Sequence, residues 1–295
     1  MDKPVMFNMR LNKDEVDTWL ELLNRTGESG YRNRGLARSF LQLEDSITFV
    51  STLEDKIIGG TSIYKDKTRL AMVLTSVVVD KQYRESAAYQ IIKSSLPFFK
   101  TVAIRDVDVL VAQGIGVNKL GFPLSLELDP WVEDVIKRIG FKKVGILEHC
   151  RFEIIKEPEK NPLVWSGNGN LNQIREHIWD QSKVMGLTNS FVWTACNFAN
   201  WSNKLWVAVN ENQMSAVAGF WPLADTLCIS PLVFDSEILN WEQVAKSLVV
   251  EARQRNMTHI DLPLIGDGQI EIIRALEKWC NHSYCRKLSL LRKPL

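Results

Sequence analysis

A run of apolar and β-branched residues leads into a segment of helical periodicity within the first half of the chain. Residues 73–79 have the length and composition of a buried strand. From 85 to 99 the apolar positions recur at the spacing of a helix, and the intervening residues 80–84 are polar and turn-like. The pattern predicts a strand that turns into a helix. The first N–H groups of such a helix lack intrahelical partners and, with the helix dipole, favour an anion.

The residues before this junction predict two helices and a hairpin. Periodicity favours helices at 12–25, with Asn12 and Glu15 placed as a capping box, and at about 36–43. Two extended segments follow, 46–53 and 56–64, around a tight turn. Gly59 and Gly60 interrupt the second strand, which indicates a bulge or a close backbone approach.

After the junction, residues 106–112 alternate like a strand, and we expect it to lie parallel to the preceding one. A glycine-containing loop at 113–128 leads to Asp129 and Pro130, which favour a helix start, and Gly140 favours its end. Residues 142–155 complete this part as one or two strands.

The second half of the chain repeats this order of elements. Residues 157–170 contain two prolines, two glycines and three asparagines, which indicates a linker. The predicted domains are therefore 1–156 and 171–295, two copies of one fold. The elements expected after the linker are helices at 171–185 and 190–198, a hairpin of 205–209 with 214–221, a strand at 226–234, a helix at 241–255, a strand at 259–264, a helix at 270–279 and a strand near 286–291.

Composition narrows the functional classes. Hydrophobic residues make up 45% of the chain and charged residues 24%, as in globular proteins, and the net charge of +1 argues against a nucleic-acid or acidic-membrane partner. No apolar run is long enough to span a bilayer, and the first residues lack the apolar core of a signal peptide. The five cysteines form no dense framework. We therefore expect a cytoplasmic protein with reduced thiols, whose oligomeric state the sequence does not indicate.

The element order of each half resembles that of the GNAT-type N-acetyltransferases. In that family the strand-to-helix turn reads Arg or Gln, two residues, Gly, one residue, then Gly or Ala. Here Arg84 begins the matching stretch, with Ala87 and Tyr89 at the glycine positions. A later signature, an Asn-started helix ending in Tyr-x-x-x-Gly-Phe, aligns with 129–141, where Asp129 replaces Asn and Ile136 replaces Tyr.

The resemblance implies an α/β (α+β) fold of two tandem units, each with a mixed central sheet flanked by helices, similar to mycothiol synthase. It implies acetyl-CoA as cosubstrate, a small-molecule amine as acceptor, and the activity of an acyl-CoA-dependent N-acyltransferase. Small side chains in the turn would let the pyrophosphate approach the backbone, and Arg84 would add a charged contact. The expected cofactor-binding residues are Val77, Val78, Val79, Arg84, Glu85, Ser86, Ala87, Ala88, Tyr89 and Asp129.

The corresponding turn of the second half, residues 234–240, contains Asp235 and Glu237 and no glycine. Two carboxylates would repel a pyrophosphate. We therefore expect CoA to bind the first unit and not the second.

Acetyl transfer to an amine needs a base and a donor for the thiolate or the carbonyl. Glu127 is the candidate base, and Tyr89, Tyr83 and His149 are candidate donors in place of the Tyr missing at Ile136. The missing Tyr and the glycine-poor turn favour an alternative, a non-catalytic tandem GNAT-like protein that binds a ligand or partner. Acyl transfer without CoA is a third possibility.

Cys280, His282 and Cys285 have spacing that suggests part of a metal site. No fourth ligand occurs at usable spacing, so we expect no metal.

Overall fold

The computed structural model describes residues 6–26, 34–54, 56–66, 72–99, 106–113, 126–159, 162–167, 169–211 and 213–294. The chain divides into two compact units: unit 1 comprises Met1–Gly145 and Leu288–Leu295, and unit 2 comprises Ile146–Lys287. None of the helices in the described ranges is long and apolar enough to cross a membrane.

Unit 1 is a mixed sheet with helices on both faces. Core residues alternate along the strands: Phe49 and Val77 pack with α3 and α4, whereas Val50 and Val78 pack with α1 and α2. Strand β7 begins in unit 1 and ends in unit 2. The elements of this part are β1 (Met6–Arg10), α1 (Val16–Thr26), α2 (Arg34–Gln42), β2 (Ser46–Leu53), β3 (Lys56–Lys65), β4 (Met72–Val79), α3 (Arg84–Ser95), β5 (Asp106–Ala112), β6 (Glu127–Leu128), α4 (Val132–Ile139) and β7 (Lys142–Ile154).

The predicted elements of the first half are confirmed in type and order. Strands β2 and β3 form the hairpin, β4 and β5 run parallel, and the Asn12 N–H donates to Glu15 Oε2 at 3.1 Å, as a capping box requires. Helix α4 ends at Gly140, whose φ of 104° is left-handed. The helix starts at Val132, whose N–H donates to the carbonyl of Asp129, so Asp129 and Pro130 form the turn before it.

Unit 2 follows the same order of helices and strands, which confirms the predicted repeat. Helices α5 and α6 pack beside β10 and β11, and α7 packs beside β12. The elements are β8 (Trp165–Ser166), α5 (Leu171–Val184), α6 (Asn189–Trp201), β9 (Leu205–Asn210), β10 (Gln213–Leu223), β11 (Thr226–Phe234), α7 (Trp241–Gln254), β12 (His259–Ile265), α8 (Ile270–Leu276) and β13 (Cys280–Pro294), whose residues from Leu288 onward belong to unit 1.

The compact units differ from the expected domains 1–156 and 171–295. Residues 148–153 of β7 pair with β12, and residues 288–294 of β13 pair with β5, so the last strand completes the sheet of unit 1. The expected linker 157–170 also contains structure, because Trp165 and Ser166 pair with β9. Hydrophobic patterning reports which face of a strand is buried and carries no information on which edge it pairs with.

Gly59 and Gly60 confirm the expected bulge and close backbone approach, and Gly219 of the second hairpin shows the same two features. The β2–β3 ladder shifts register opposite Gly59, and the β10–β11 ladder shifts at Gly219. A Cβ on Gly60 would lie 2.1 Å from the Phe49 carbonyl oxygen, and one on Gly219 would lie 2.0 Å from the Ser230 carbonyl oxygen. The repeat thus includes a bulge with close backbone contact.

A buried aspartate occupies the third position of both β5 and β12. Asp108 is 1% exposed and lies opposite Arg292, whose guanidinium donates to both carboxylate oxygens at 2.7 and 3.0 Å. Asp261 is 2% exposed and lies opposite Arg151. Each unit therefore has its own buried aspartate at the same strand position, opposite an arginine on the neighbouring strand. The two units thus repeat this pair of residues as well as the order of elements.

Candidate cofactor and catalytic site

The sheet of unit 1 opens between β4 and β5, just before α3. Among the described residues, one pair is in register between these parallel strands, Val73 with Asp108. Further along, residues 77–79 pair with β3 on the opposite edge of β4. Backbone groups of a strand point alternately to its two edges, so this end of β4 directs N–H and C=O groups toward the opening. A ligand with amide groups could pair with them as a strand does.

The N-terminus of α3 lies at the end of this strand. A single 3₁₀ turn, Lys81–Tyr83, connects β4 to the helix, and Tyr83 gives no side-chain hydrogen bond to the first turn. Glu85 and Ser86 are exposed, whereas Ala88 faces the core of unit 1. The predicted turn is therefore a helix N-terminus next to an open strand edge, with small residues at its surface.

Arg84 is held at this N-terminus by Trp131. Its guanidinium carbon lies 4.6 Å from the centre of the indole ring, a cation–π contact, and its Nε is 3.5 Å from the Val79 carbonyl oxygen. The indole Nε1 is buried and has no hydrogen-bond partner in the described part of the chain. The positive charge of Arg84 thus adds to the positive end of the α3 dipole at the same place. Trp131 was not singled out from the sequence, although it follows the predicted helix start directly.

Strand β6 lies on the edge of β5 that faces the opening. Leu110 pairs with Leu290 of β13 on one edge, so its second pairing, with Glu127, must use the other. That other edge is the one on which Asp108 pairs with β4. Glu127 is 7% exposed. The predicted base therefore lies at the opening, and its own strand occupies part of the space between β4 and β5.

Two further positions of unit 1 bear on the predicted chemistry, the candidate donor Tyr89 and Ile136, where the family Tyr is missing. The Tyr89 ring is half-buried, with Lys93 Nζ 5.4 Å and the Arg138 guanidinium 5.9 Å from its centre. Ile136, at the position of the family Tyr, is fully buried in the core. An aliphatic side chain there can donate no proton.

His149 lies in unit 2, in a buried polar cluster with Asp261. The Arg286 guanidinium lies 3.0 Å from His149 Nδ1 and can only donate, so Nε2 carries the proton of the neutral ring. His149 Nε2 is 3.0 Å from both carboxylate oxygens of Asp261, and the Tyr284 hydroxyl donates to Oδ1 at 3.3 Å. Burial is the main reason that the Tyr284 pKa is raised. Both ring nitrogens of His149 are engaged, and the ring is 3% exposed.

The helix start in unit 2 is already capped by its own side chains. Asp235 Oδ1 accepts the Glu237 N–H at 2.9 Å. Asn240 and Gln243 form a reciprocal capping box at the start of α7. These contacts use donors that a phosphate would need, and the carboxylate of Asp235 adds repulsion. They support the prediction that CoA does not bind this unit.

No protein-family profile and no curated protein sequence matches the chain. Several solved structures are similar to the chain in fold. A putative acetyltransferase from Pyrococcus horikoshii aligns over 98% of this chain and 89% of its own, with a TM-score of 0.64 and 13% identity. A tandem GNAT protein from the clavulanic acid biosynthesis pathway aligns over 98% of both chains, with a TM-score of 0.62 and 10% identity. A GCN5-related N-acetyltransferase from Sphaerobacter thermophilus covers 98% of this chain and 95% of its own, with a TM-score of 0.60 and 7% identity.

This chain has a tandem GNAT fold. At these identities the similarity establishes the fold and leaves the substrate open. It confirms the predicted fold class and family resemblance, whereas the more particular resemblance to mycothiol synthase remains a prediction.

Within the tandem GNAT fold, the structure brings together some predicted site residues and separates others. Residues 77–79, Arg84 and Glu127 all lie at the junction of β4, α3 and β6 in unit 1. His149 belongs to unit 2. Asp261 was not predicted from the sequence, although its position in β12 matches that of Asp108 in β5 and was a usable signal.

Proposed function

We propose that unit 1 binds a CoA thioester at the opening between β4 and β5 and transfers its acyl group to a small-molecule amine. The observation that carries this proposal is the helix α3 N-terminus, with Arg84 fixed on Trp131, at the end of a strand edge left open by β5. The pyrophosphate would accept from the first N–H groups of α3, and the pantetheine amides would pair with residues 77–79 of β4. The acetyltransferase neighbours support the reaction class.

Glu127 is the proposed base. Its carboxylate would accept the proton that the amine loses as the new C–N bond forms, and the C–S bond then breaks to release the CoA thiolate. The thiol of cysteine has a pKa of about 8.5, below the value of about 10.4 for the lysine amine, so a thiolate is a good enough leaving group to depart without a proton donor such as the Tyr missing at Ile136. We assign Tyr89 and His149 to packing and to the buried cluster. The cytoplasmic location remains a prediction.

Titration calorimetry with acetyl-CoA tests the binding step. Arg84→Glu is expected to weaken binding by about 10-fold or more, because a charge-assisted hydrogen bond is worth about 1.5–3 kcal/mol and is replaced by repulsion. Arg274→Glu makes the same charge change at a side chain of α8 in unit 2 that is 69% exposed, and it should leave binding unchanged. Absence of binding to the wild-type protein would overturn the proposal.

The second candidate function is a non-catalytic tandem GNAT protein. The observation that favours it is the position of β6, whose residues fill part of the opening, together with the buried Ile136. Thiol release from acetyl-CoA with a panel of amines separates the two functions. The acyltransferase proposal expects turnover that Glu127→Gln lowers by about 100-fold or more with little change in acetyl-CoA affinity. Binding without thiol release for any amine would favour the non-catalytic protein.

A further inference from the structure

A cysteine pair and a histidine form a compact group on unit 2, outside the proposed acyl-transfer site. Cys150 of β7 and Cys285 of β13 are joined by a disulfide, with their Cα atoms 4.1 Å apart. The His282 ring nitrogen and both sulfur atoms lie within 4.8 Å of one another. The expectation that all five cysteines are reduced is thus wrong for this pair, whereas Cys196, Cys228 and Cys280 are free and buried.

The metal motif considered from the sequence contained the wrong cysteine. Cys280 is 2% exposed, and burial raises the pKa of its thiol to about 12, as expected for an inert core thiol. Cys150, which is 135 residues from Cys285 along the chain, takes its place beside His282. Since only the fold brings Cys150 there, ligand spacing along the sequence could not reveal the group.

Two carboxylates beside the group are candidates for a fourth ligand and an outer shell. Glu148 Oε2 lies 3.4 Å from Cys285 Sγ. The His282 ring stacks on Phe152 with ring centres 4.8 Å apart, and its Nδ1 faces Glu277 Oε1 at 3.9 Å. A carboxylate that accepts a hydrogen bond from one ring nitrogen orients the other toward a metal, and Glu277 would take this role if the 3.9 Å separation closed to hydrogen-bond distance.

The group is open to solvent on one side. His282 and Cys285 are exposed, and with Glu148 and Glu277 they line a surface cavity of about 410 Å³ next to α8. An ion can therefore reach Cys285 Sγ and the His282 ring from solvent without unfolding of the unit. Cys150, at 0% exposed, forms the floor of the group.

We propose that the reduced Cys150–Cys285 pair, with His282 and Glu148, binds one Zn²⁺ ion, and that the disulfide is the metal-free state of the same site. Two thiolates, an imidazole and a carboxylate are a tetrahedral zinc donor set. Tetrahedral coordination with Zn–S of 2.3 Å and Zn–N of 2.0–2.1 Å places ligand atoms roughly 3.5–4 Å apart. To reach these separations from the disulfide state, the two sulfur atoms must move apart. The His282 ring must also move by about an ångström.

The disulfide and the zinc-bound dithiol interconvert by balanced reactions. A phosphine reductant and one water convert the disulfide into two thiols and a phosphine oxide. Binding of Zn²⁺ to the two thiols then releases two protons. Oxidised glutathione reverses the sequence: two thiol–disulfide exchanges re-form the protein disulfide, release two glutathione thiols after uptake of two protons, and free the ion.

Cobalt absorption of the full chain tests the site, because tetrahedral Co²⁺ with thiolate ligands has intense visible and charge-transfer bands. After phosphine reduction and anaerobic desalting, the chain is expected to bind one Co²⁺, which one equivalent of Zn²⁺ displaces. Cys285→Ser and His282→Ala should weaken binding by more than about 100-fold, since loss of an outer-shell partner already costs 10–100-fold. The disulfide form should not bind.

Cys280→Ala is the matched control, because this cysteine lies on the same strand and outside the group. It should bind cobalt as the wild type does. Reduced wild-type protein that binds no cobalt would overturn the proposal. So would a Cys280→Ala variant that loses the bands, or a disulfide form that retains them. Since the proposal does not depend on acyl transfer, none of these outcomes bears on the function of unit 1.

Discussion

Replacing Asp261 by alanine tests the buried cluster of unit 2. The carboxylate is 2% exposed and accepts from His149 and Tyr284. Its removal leaves the His149 Nε2–H and the Tyr284 hydroxyl without their acceptor, and Arg151 lies directly opposite on β7. Breaking a buried charged or hydrogen-bonded pair by removing one partner costs about 3–5 kcal/mol. For a domain of this size that lowers Tm by roughly 10 °C or more.

Urea unfolding followed by circular dichroism measures the change, with the m-value checked for constancy. Asp225→Ala is the matched control, because Asp225 contacts the same Arg151 at 3.4 Å but its side chain is 55% exposed. A surface pair contributes about 0–1 kcal/mol, so this variant should unfold nearly as the wild type does. Equal midpoints for the two variants would refute the reasoning, since burial is what distinguishes them.

Two further changes test the fold and its response to pH. Gly60→Ala places a Cβ 2.1 Å from the Phe49 carbonyl oxygen and 2.7 Å from Trp19, so urea unfolding should show a loss of at least about 1–3 kcal/mol, and a variant as stable as the wild type would contradict the close approach. Burial lowers the pKa of His177 below its ordinary 6.5, so the unfolded chain binds its proton first as the pH falls. His177 therefore does not change the free energy of unfolding above pH 6.5, and it lowers that free energy as the pH falls below 6.5. His177→Gln should flatten this part of the stability–pH curve, and an unchanged slope would show that another group titrates there.

The sequence predicted most elements because each has a period or a boundary signal of its own. The strand before α3 is an apolar run broken only by Thr75 and Ser76, and α4 ends at Gly140, whose positive φ a glycine adopts without strain. The repeat was visible because the second half of the chain follows the first in its order of helices and strands. Such signals are local, so they survive without any knowledge of the tertiary structure.

Long-range pairing had no comparable signal. The sequence placed residues 280–295 in the second domain, whereas residues 288–294 pair with β5 in unit 1. It treated the residues around Glu127 as a loop, whereas they form a strand on the edge of β5 that faces the opening. A backbone edge pairs through N–H and C=O groups that every residue carries, so side-chain pattern does not select the partner.

By itself the sequence determined the order of elements, the two-fold repeat and the strand–helix junction at Arg84, since these follow from periodicity, turn residues and the family motif. Only the tertiary structure decided which charged and sulfur-containing groups meet. His149 and Asp261 are 112 residues apart, and Cys150 and Cys285 are 135 apart. The physical reason is that a buried carboxylate or thiol needs a partner to offset its loss of water. Residues so far apart in the sequence come into contact only through the fold. The junction at Arg84 thus came from the sequence, and its fixation on Trp131 came from packing.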